Sequence, residues 1–298
     1  MAIKKEKLFI TGCSGFIGNA IAKEALSNGY AVIGLDIKEC HINGIKFIKG
    51  DINNYNTVKN AIKGAKYVVH LAAITSNLEF EKDMYNSYKT NVLGFHNVID
   101  AAISEGCSAF VYASSAAVYT GDTGFSEKSL IDIKRQTNHY AKTKLINEAI
   151  ADSYRMLSKM QIKGLRYFNV FGPGENQKGN YASIVTLFLR ASNQGNPLIV
   201  YGDGHQSRDL IYVADVAKIS LLLLKKGNEH IYNVGTGKST SYDFIANIIN
   251  SKNKKYIKNP LSSYQYLTKA DTGRLIATIG RFRFTSIEEG INQISHNL

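Results

Sequence analysis

A chain of 298 residues, 44% hydrophobic and 20% charged, can bury a substantial core, and it has no run near the ~20 apolar residues of a membrane-spanning helix. The formal charge of +12 raises the question of nucleic acid. Its lysines and arginines are scattered, with no basic block and no zinc-finger spacing, so neither nucleic acid nor a membrane is expected as a partner.

Cys13, Cys40 and Cys107 have neither metal-ligand spacing nor an even count for disulfides. The opening "MAIKKEKLFITG" passes from a short charged lead straight into an apolar strand, without the longer apolar segment of a secretory leader. The expectation is a reduced, cytoplasmic protein with no metal site.

Short apolar runs at 7–12, 30–36, 66–73, 109–115 and 164–170 read as buried strands. Helical spacing lies between them. Residues 16–28 place Ile17, Ile21, Ala25 and Leu26 on one face, and 84–105 do the same with Val92, Phe95, Val98, Ile99 and Ala102. This alternation predicts an α/β fold, a Rossmann-type doubly wound parallel sheet. From about residue 171 the pattern changes to a loop, "FGPGENQKGNY", then mixed short elements and a Lys/Asn-rich stretch over 250–259. "TSIEEGINQI" closes the chain as a helix, with Thr285 or Ser286 before an acidic first turn. The expected organisation is a nucleotide-binding domain over 1–170 and a smaller mixed α/β substrate-binding domain over 171–298, the two interleaved.

"ITGCSGFIGNAIA" puts Gly12, Gly15 and Gly18 after the first strand and at the head of the first helix. Glycine permits the tight turn and close approach of the main chain to a pyrophosphate, and the helix N-terminus favours phosphate. The spacing is G-x-x-G-x-x-G, and Asp36 ends the second strand 18 residues after Gly18. A carboxylate there accepts hydrogen bonds from ribose hydroxyls and repels a 2′-phosphate, which favours NAD over NADP. Lys38, close by, works against that preference.

In "NHYAKTK", Tyr140 and Lys144 share a helix face. An ammonium near a phenol stabilises phenolate and lowers the tyrosine pKa. Taken alone, this spacing is common. "YASSAAVYTGD" adds Ser114 and Ser115 at the end of a strand, where open α/β sheets gather ligand-binding groups. A hydroxyl that binds a sugar hydroxyl or ketone and a phenol that moves its proton make a coherent set.

At this point the chain resembles the extended short-chain dehydrogenase/reductase family, in its nucleotide-sugar epimerase branch. The resemblance rests on "TGCSGFIG" (11–18), "GDI" (50–52), "HLAA" (70–73), "NVLG" (91–94), "ASSAAVY" (113–119), "YAKTK" (140–144), "LRYFNVFGPG" (165–174) and "SRDLIYVADVA" (207–217). It implies Ser115, Tyr140 and Lys144 as the catalytic set, with Tyr140 the acid/base and Lys144 holding the nicotinamide ribose. Ser115 rather than Ser114 immediately precedes the x-x-V-Y of "SAAVY". The same resemblance implies cofactor contacts from Gly12, Gly15, Phe16, Ile17, Gly18, Asp36, Asp51, Ile52, Leu71, Ala72, Ala73, Asn91 and Phe168, beside Tyr140 and Lys144. Ser115, Asn169, Asn180 and Arg208 match substrate contacts, with Arg208 the counter-charge for a diphosphate. Plain structural alternatives stand beside these: Leu71 to Ala73 ending a strand, Asn91 capping a helix, Arg208 paired with Asp209 or Asp215.

Family members commonly pair through two long helices, here 84–105 and 136–159, so a homodimer is expected. Sugar 4,6-dehydratases resembling this chain carry an Asp-Glu pair just after the active-site hydroxyl, and related decarboxylases a glutamate at the second position. Here Ala116 and Ala117 stand there, which leaves epimerisation. "YFNVFGPGENQKGNYASIV" and "VYGDGHQSRDLIYV" look like UDP-sugar 4-epimerases, whereas "SSYQYLTKAD", "SIEEGI" and Lys178 look like ADP-heptose 6-epimerases. In the latter a loop lysine acts as a second acid/base; the plain alternative for Lys178 is a solvated side chain. The expected activity is inversion at C4 of a UDP-hexose or UDP-N-acetylhexosamine with NAD. A 4-keto-sugar reductase consuming NAD(P)H is the alternative from another class.

Overall fold

Strands that are apolar at nearly every position bury both faces, and four of them lie side by side in the computed structural model, which describes residues 5–120, 124–258 and 266–295. In chain order the first elements are β1 (Lys7–Thr11), α1 (Phe16–Ser27), β2 (Ala31–Asp36), β3 (Lys46–Lys49), α2 (Tyr55–Ala61) and β4 (Tyr67–His70). Then come α3 (Asn77–Lys82), α4 (Met84–Tyr88), α5 (Gly94–Ser104), β5 (Ala109–Ser115), α6 (His139–Leu157) and β6 (Gln161–Tyr167). The remainder holds β7 (Asn169–Phe171), α7 (Ile184–Asn193), β8 (Leu198–Tyr201), β9 (Ser207–Arg208), β10 (Leu210–Tyr212) and α8 (Val213–Lys225). It ends with β11 (Ile231–Val234), β12 (Thr240–Ser241), α9 (Tyr242–Asn250), β13 (Lys254–Ile257), α10 (Gly273–Ile279) and α11 (Ile287–Ser295).

The main sheet has the order β11-β6-β5-β4-β1-β2-β3. The β1–β2, β2–β3, β1–β4 and β4–β5 pairs are parallel, with Leu8 opposite both Val32 and Tyr67. This is the doubly wound order, with its reversal between β1 and β4, and it places ligand groups at the carboxyl ends of those strands.

The chain divides into two compact units, one of residues 1–118, 131–166 and 217–232, the other of 119–130, 167–216 and 233–298. The polypeptide therefore passes between them several times. In the first unit Phe9, Leu35 and Val68 of the strands pack with Phe95, Val98 and Ile99 of α5 and Ala151 of α6. In the second, Phe171 and Tyr212 pack with Phe188 and Leu189 of α7, Ile245 of α9 and Ile291 and Ile294 of α11.

Three local departures have physical causes. The helix expected over 84–105 contains a π turn at Lys89–Leu93, and Gly94 follows because a β-carbon there would lie 2.6 Å from Ile52 Cδ1. The strand expected over 164–170 changes partners at its end: Phe168 donates its amide to Val234, and Asn169 donates to Asp209 beside β10. The short β3 has only half-buried residues at its centre and carried too weak a pattern to find. The final helix begins with a capping box, in which Ser286 Oγ accepts from the Glu289 amide at 3.1 Å and Glu289 Oε2 accepts from the Ser286 amide at 2.9 Å. Residue 259 of the Lys/Asn-rich stretch and residues 262–265 of "SSYQYLTKAD" lie outside the described residues. Among the described residues no helix is long and apolar enough to cross a membrane, and no group of side chains could hold a metal ion.

Candidate active site

The turn after β1 is built around glycine. Gly12 has φ +72°, and a β-carbon on it would lie 2.7 Å from the Ala72 amide nitrogen. One on Gly18 would lie 2.0 Å from the Gly12 carbonyl oxygen. The turn thus sits hard against the Leu71–Ala73 segment that leaves β4, and Thr11 Oγ1 accepts from the Leu71 and Ala72 amides, both at 3.3 Å. Gly15 caps α1 without a side-chain acceptor, and no carboxylate stands in the first turn, where Phe16 and Ile17 lie. The positive end of the helix dipole is therefore left for an anion. Asp36 receives the Ser14 amide at 2.9 Å and the Lys38 amide at 3.0 Å, which ties the turn to the end of β2. Further along, Asp51 accepts from the Asn53 amide at 2.9 Å, and the buried Ile52 gives its carbonyl to Asn97 at 2.9 Å. These residues fit a dinucleotide: a cradle that side chains would fill, an unneutralised helix end and a carboxylate at the ribose position.

β5 delivers two serines to different tasks. Ser114 is buried and donates to Glu148 Oε1 at 2.6 Å, and Glu148 in turn takes Arg166 in a two-pronged ion pair at 2.7 and 3.0 Å. Ser115 is only half-buried, and its hydroxyl oxygen accepts from the Ala117 amide at 3.1 Å. The structure therefore separates a buried anchor, Ser114, from the accessible hydroxyl, Ser115.

α6 starts with Asn138 as its cap, its Oδ1 accepting from the Ala141 amide at 3.0 Å, so Tyr140 falls in the first turn. Lys144, one turn on, is 3% exposed, with its ammonium 5.4 Å from the centre of the Tyr140 ring. Burial pushes the Tyr140 phenol up to about 12, and a hydrogen bond with Ser115 works in the opposite direction. Burial lowers Lys144 to about 8, against the opposing effect of Glu148. In the protein alone, burial outweighs any lowering of the Tyr140 pKa by Lys144. The ammonium lies toward the ring face, and the loss of water around the phenol is the larger effect. What the structure does bring together is hydroxyl, phenol and ammonium on one unit. His70, fully buried and lowered to about 3 first by desolvation and then by Lys144, stays neutral and meets Thr11 Oγ1 at 2.7 Å.

Asn91 is buried on the π turn. Its Oδ1 accepts from the Ile74 amide at 2.8 Å, and its Nδ2 donates to the Ile74 carbonyl at 2.8 Å and to Thr143 Oγ1 at 3.1 Å. The side chain clasps the segment after β4 to α6, so any hold on a cofactor runs through the backbone it positions. Sequence reading missed this clasp and the Ser114–Glu148–Arg166 chain, because a polar helix residue gives no sign in sequence that it points inward.

The second unit holds the remaining residues. Phe168 is buried, its ring centroid 5.9 Å from that of Phe125. Asn169 Nδ2 donates to the Asp209 carbonyl and to Thr268 Oγ1, each at 3.1 Å. Arg208 is nearly buried, donates to the Ser207 carbonyl at 2.9 Å and lies 5.6 Å from the Tyr242 ring centre. Asp209 accepts from Thr236, Gly237 and Ala270, and Asp215 from the Thr285 amide. Asn180 is exposed. Lys178 meets Glu175 Oε1 at 3.1 Å, and the buried Glu175 also takes Ser183 and Thr186, so the lysine is tied to its own loop.

Comparison with known proteins places this geometry in context. Residues 8–235 match the model of the NAD dependent epimerase/dehydratase family. A Methanocaldococcus jannaschii protein provisionally assigned as a UDP-glucose 4-epimerase is 32% identical over 249 residues, 81% of each chain. The ADP-L-glycero-D-manno-heptose-6-epimerase of Alkalilimnicola ehrlichii is 30% identical over 311 residues, 95% of each chain. Among solved structures, the Thermus thermophilus UDP-glucose 4-epimerase in complex with NAD superposes with a TM-score of 0.84 at 26% identity, covering 97% of this chain and 98% of that one.

Proposed function

From its place in the NAD dependent epimerase/dehydratase family, to which the chain belongs, we propose that it is a nucleotide-sugar epimerase inverting C4 of a UDP-hexose or UDP-N-acetylhexosamine. The observation that carries this reading is the set Ser115, Tyr140 and Lys144 on one unit, with Ala116 and Ala117 directly after Ser115. Elimination of water needs a further proton-exchanging group next to the reacting carbons, and two methyl side chains cannot supply one. Dehydration is thereby disfavoured within a family that includes it.

NAD supplies a reversible acceptor for the sugar's hydride. The chain's own residues do the rest. Tyr140 takes the proton from the reacting hydroxyl as the carbon is oxidised and returns it after the keto sugar has turned over. Ser115 holds the same oxygen. Lys144 remains an ammonium at pH 7, and it would hold a ribose and favour the phenolate. Gly12, Gly15, Gly18 and Asp36 would hold the dinucleotide, and Arg208, Asn169 and Asn180 the substrate's nucleotide. The cytoplasmic setting is kept as a proposal, in keeping with three unpaired cysteines, as is a homodimer.

A second reading, an ADP-heptose 6-epimerase, is favoured by the likeness to the Alkalilimnicola protein over 95% of the chain. Proton NMR of the purified protein separates these readings without added cofactor. The panel is UDP-glucose, UDP-galactose, UDP-N-acetylglucosamine, UDP-N-acetylgalactosamine and ADP-heptose. A second anomeric signal growing from one of the UDP sugars supports the proposal, and one growing only from ADP-heptose replaces it with the second reading. No change in all five removes both and directs attention to a 4-keto-sugar reductase, assayed with a keto sugar and NADH or NADPH.

A further inference from the structure

Ser115 and Tyr140 act on one oxygen atom in the reading above, yet the chain between them does not fix their spacing. It leaves the first unit after Val118, runs through 119–130 in the second, and returns only at 131. Gln136 spans this break. It is 5% exposed, its Nε2 donates to the Ala117 carbonyl at 2.9 Å and the Val118 carbonyl at 3.4 Å, and its Oε1 accepts from the Asn138 amide at 3.0 Å. The two peptide groups it joins adjoin the two functional residues. Ala117 gives its amide to Ser115 Oγ at 3.1 Å, and Asn138 caps the helix turn that carries Tyr140, through the Ala141 amide at 3.0 Å. One side-chain amide thus connects the serine turn to the tyrosine turn, with its donor on carbonyls and its acceptor on an N–H, the only orientation that satisfies both ends. The Ser114–Glu148 bond also joins β5 to α6, but two turns further along the helix, where it does not constrain the first turn.

We propose that Gln136 is a positioning residue that sets the distance between the Ser115 hydroxyl and the Tyr140 phenol. The proposal rests on the epimerase reading for its activity readout and on hydrogen bonding for a second readout.

Two variants test it, Gln136→Leu and Gln136→Glu. Misplacement of reacting groups by about an ångström can cost ~10²-fold in rate, so Gln136→Leu is expected to lower kcat about 10- to 100-fold with KM changed by less than about threefold. Gln136→Glu keeps the acceptor for Asn138 but turns a carboxylate toward two carbonyls. Protonated, it again offers an O–H donor, and burial raises its pKa. Its kcat relative to the unmodified protein is therefore expected to recover as pH falls from 8 to 6. Amide exchange at Asn138 is expected to quicken in Gln136→Leu, which removes its acceptor, and to stay near that of the unmodified protein in Gln136→Glu, which keeps one. A kcat for Gln136→Leu within about twofold of the unmodified protein overturns the proposal. If that variant does not fold, a Gln136→Glu ratio that is flat or worsens toward low pH overturns it instead. If the unmodified protein turns over no sugar, the function fails and the strut is judged by exchange alone, where an unchanged Asn138 rate in Gln136→Leu overturns it.

Discussion

Tyr140 carries the most chemistry on the fewest atoms. Replacing it with phenylalanine removes one oxygen from a helix turn whose cap and packing stay in place, so the variant is expected to keep bound NAD and lose ~10²–10⁴-fold in turnover. Cofactor released on denaturation and the rate of anomeric conversion check the two halves separately. Lys144 yields a pH effect. Its pKa is lowered from 10.5 to about 8 by burial, so between those values the unfolded chain binds more protons than the folded one. Stability contributed at this site therefore rises as pH rises from 8 to 10.5. The melting temperature of the cofactor-free protein minus that of Lys144→Met is expected to increase over that interval, and a constant difference would remove the buried ammonium from the account. The proposed catalytic trio was readable in sequence because Tyr140 and Lys144 share a helix face, a serine pair ends a strand, and the family resemblance joins them into one set. The distinction between Ser114 and Ser115 came there only from the resemblance, whereas burial and the Glu148 bond give it physically.

At the level of elements, glycine and cap positions were the most readable features. A methyl group at Gly18 would stand 2.0 Å from the Gly12 carbonyl oxygen, so Gly18→Ala must displace the turn. A loss of about 1–3 kcal/mol and of bound NAD is expected, measured by denaturant melting and cofactor content. The last helix offers a contrast: Ser286→Ala removes a cap bond on α11 and is expected to cost about 1 kcal/mol with kcat unchanged. A fall in kcat would mean that α11 bears on the site. The helix over 84–105 was readable in extent and not in detail. Hydrophobic spacing is nearly the same through a single π turn, so the turn that seats Asn91 leaves no trace in the pattern. The extended run that ends near 170 was read as one strand because period and composition do not record a change of partner at Phe168.

For the whole molecule, the alternation of strands and helices was enough to give the doubly wound sheet, since sheet order follows from crossover geometry once the elements are known. The passage of the chain between two units was less readable. Residues 119–130 and 217–232 lie in the unit opposite to their neighbours in sequence, and no glycine- or proline-rich linker announces those crossings. The sugar is the least readable property, because it depends on loop shapes across 75–90 and 171–210 rather than on a motif. The proposed homodimer has a physical motive in the high exposure of Met156 (88%) and Leu157 (79%) at the end of α6. Sedimentation velocity is expected to give twice the chain mass, and a monomer at micromolar concentration would remove that proposal.

The central claim is oxidation and re-reduction at one carbon with the same hydride, with only the hydroxyl proton passing through Tyr140. Running the conversion in deuterium oxide and examining the product by NMR and mass spectrometry tests this most directly. The inverted carbon is expected to carry protium, because hydride is never exchanged with solvent. Deuterium at that carbon, or no inversion with any nucleotide sugar, would contradict it.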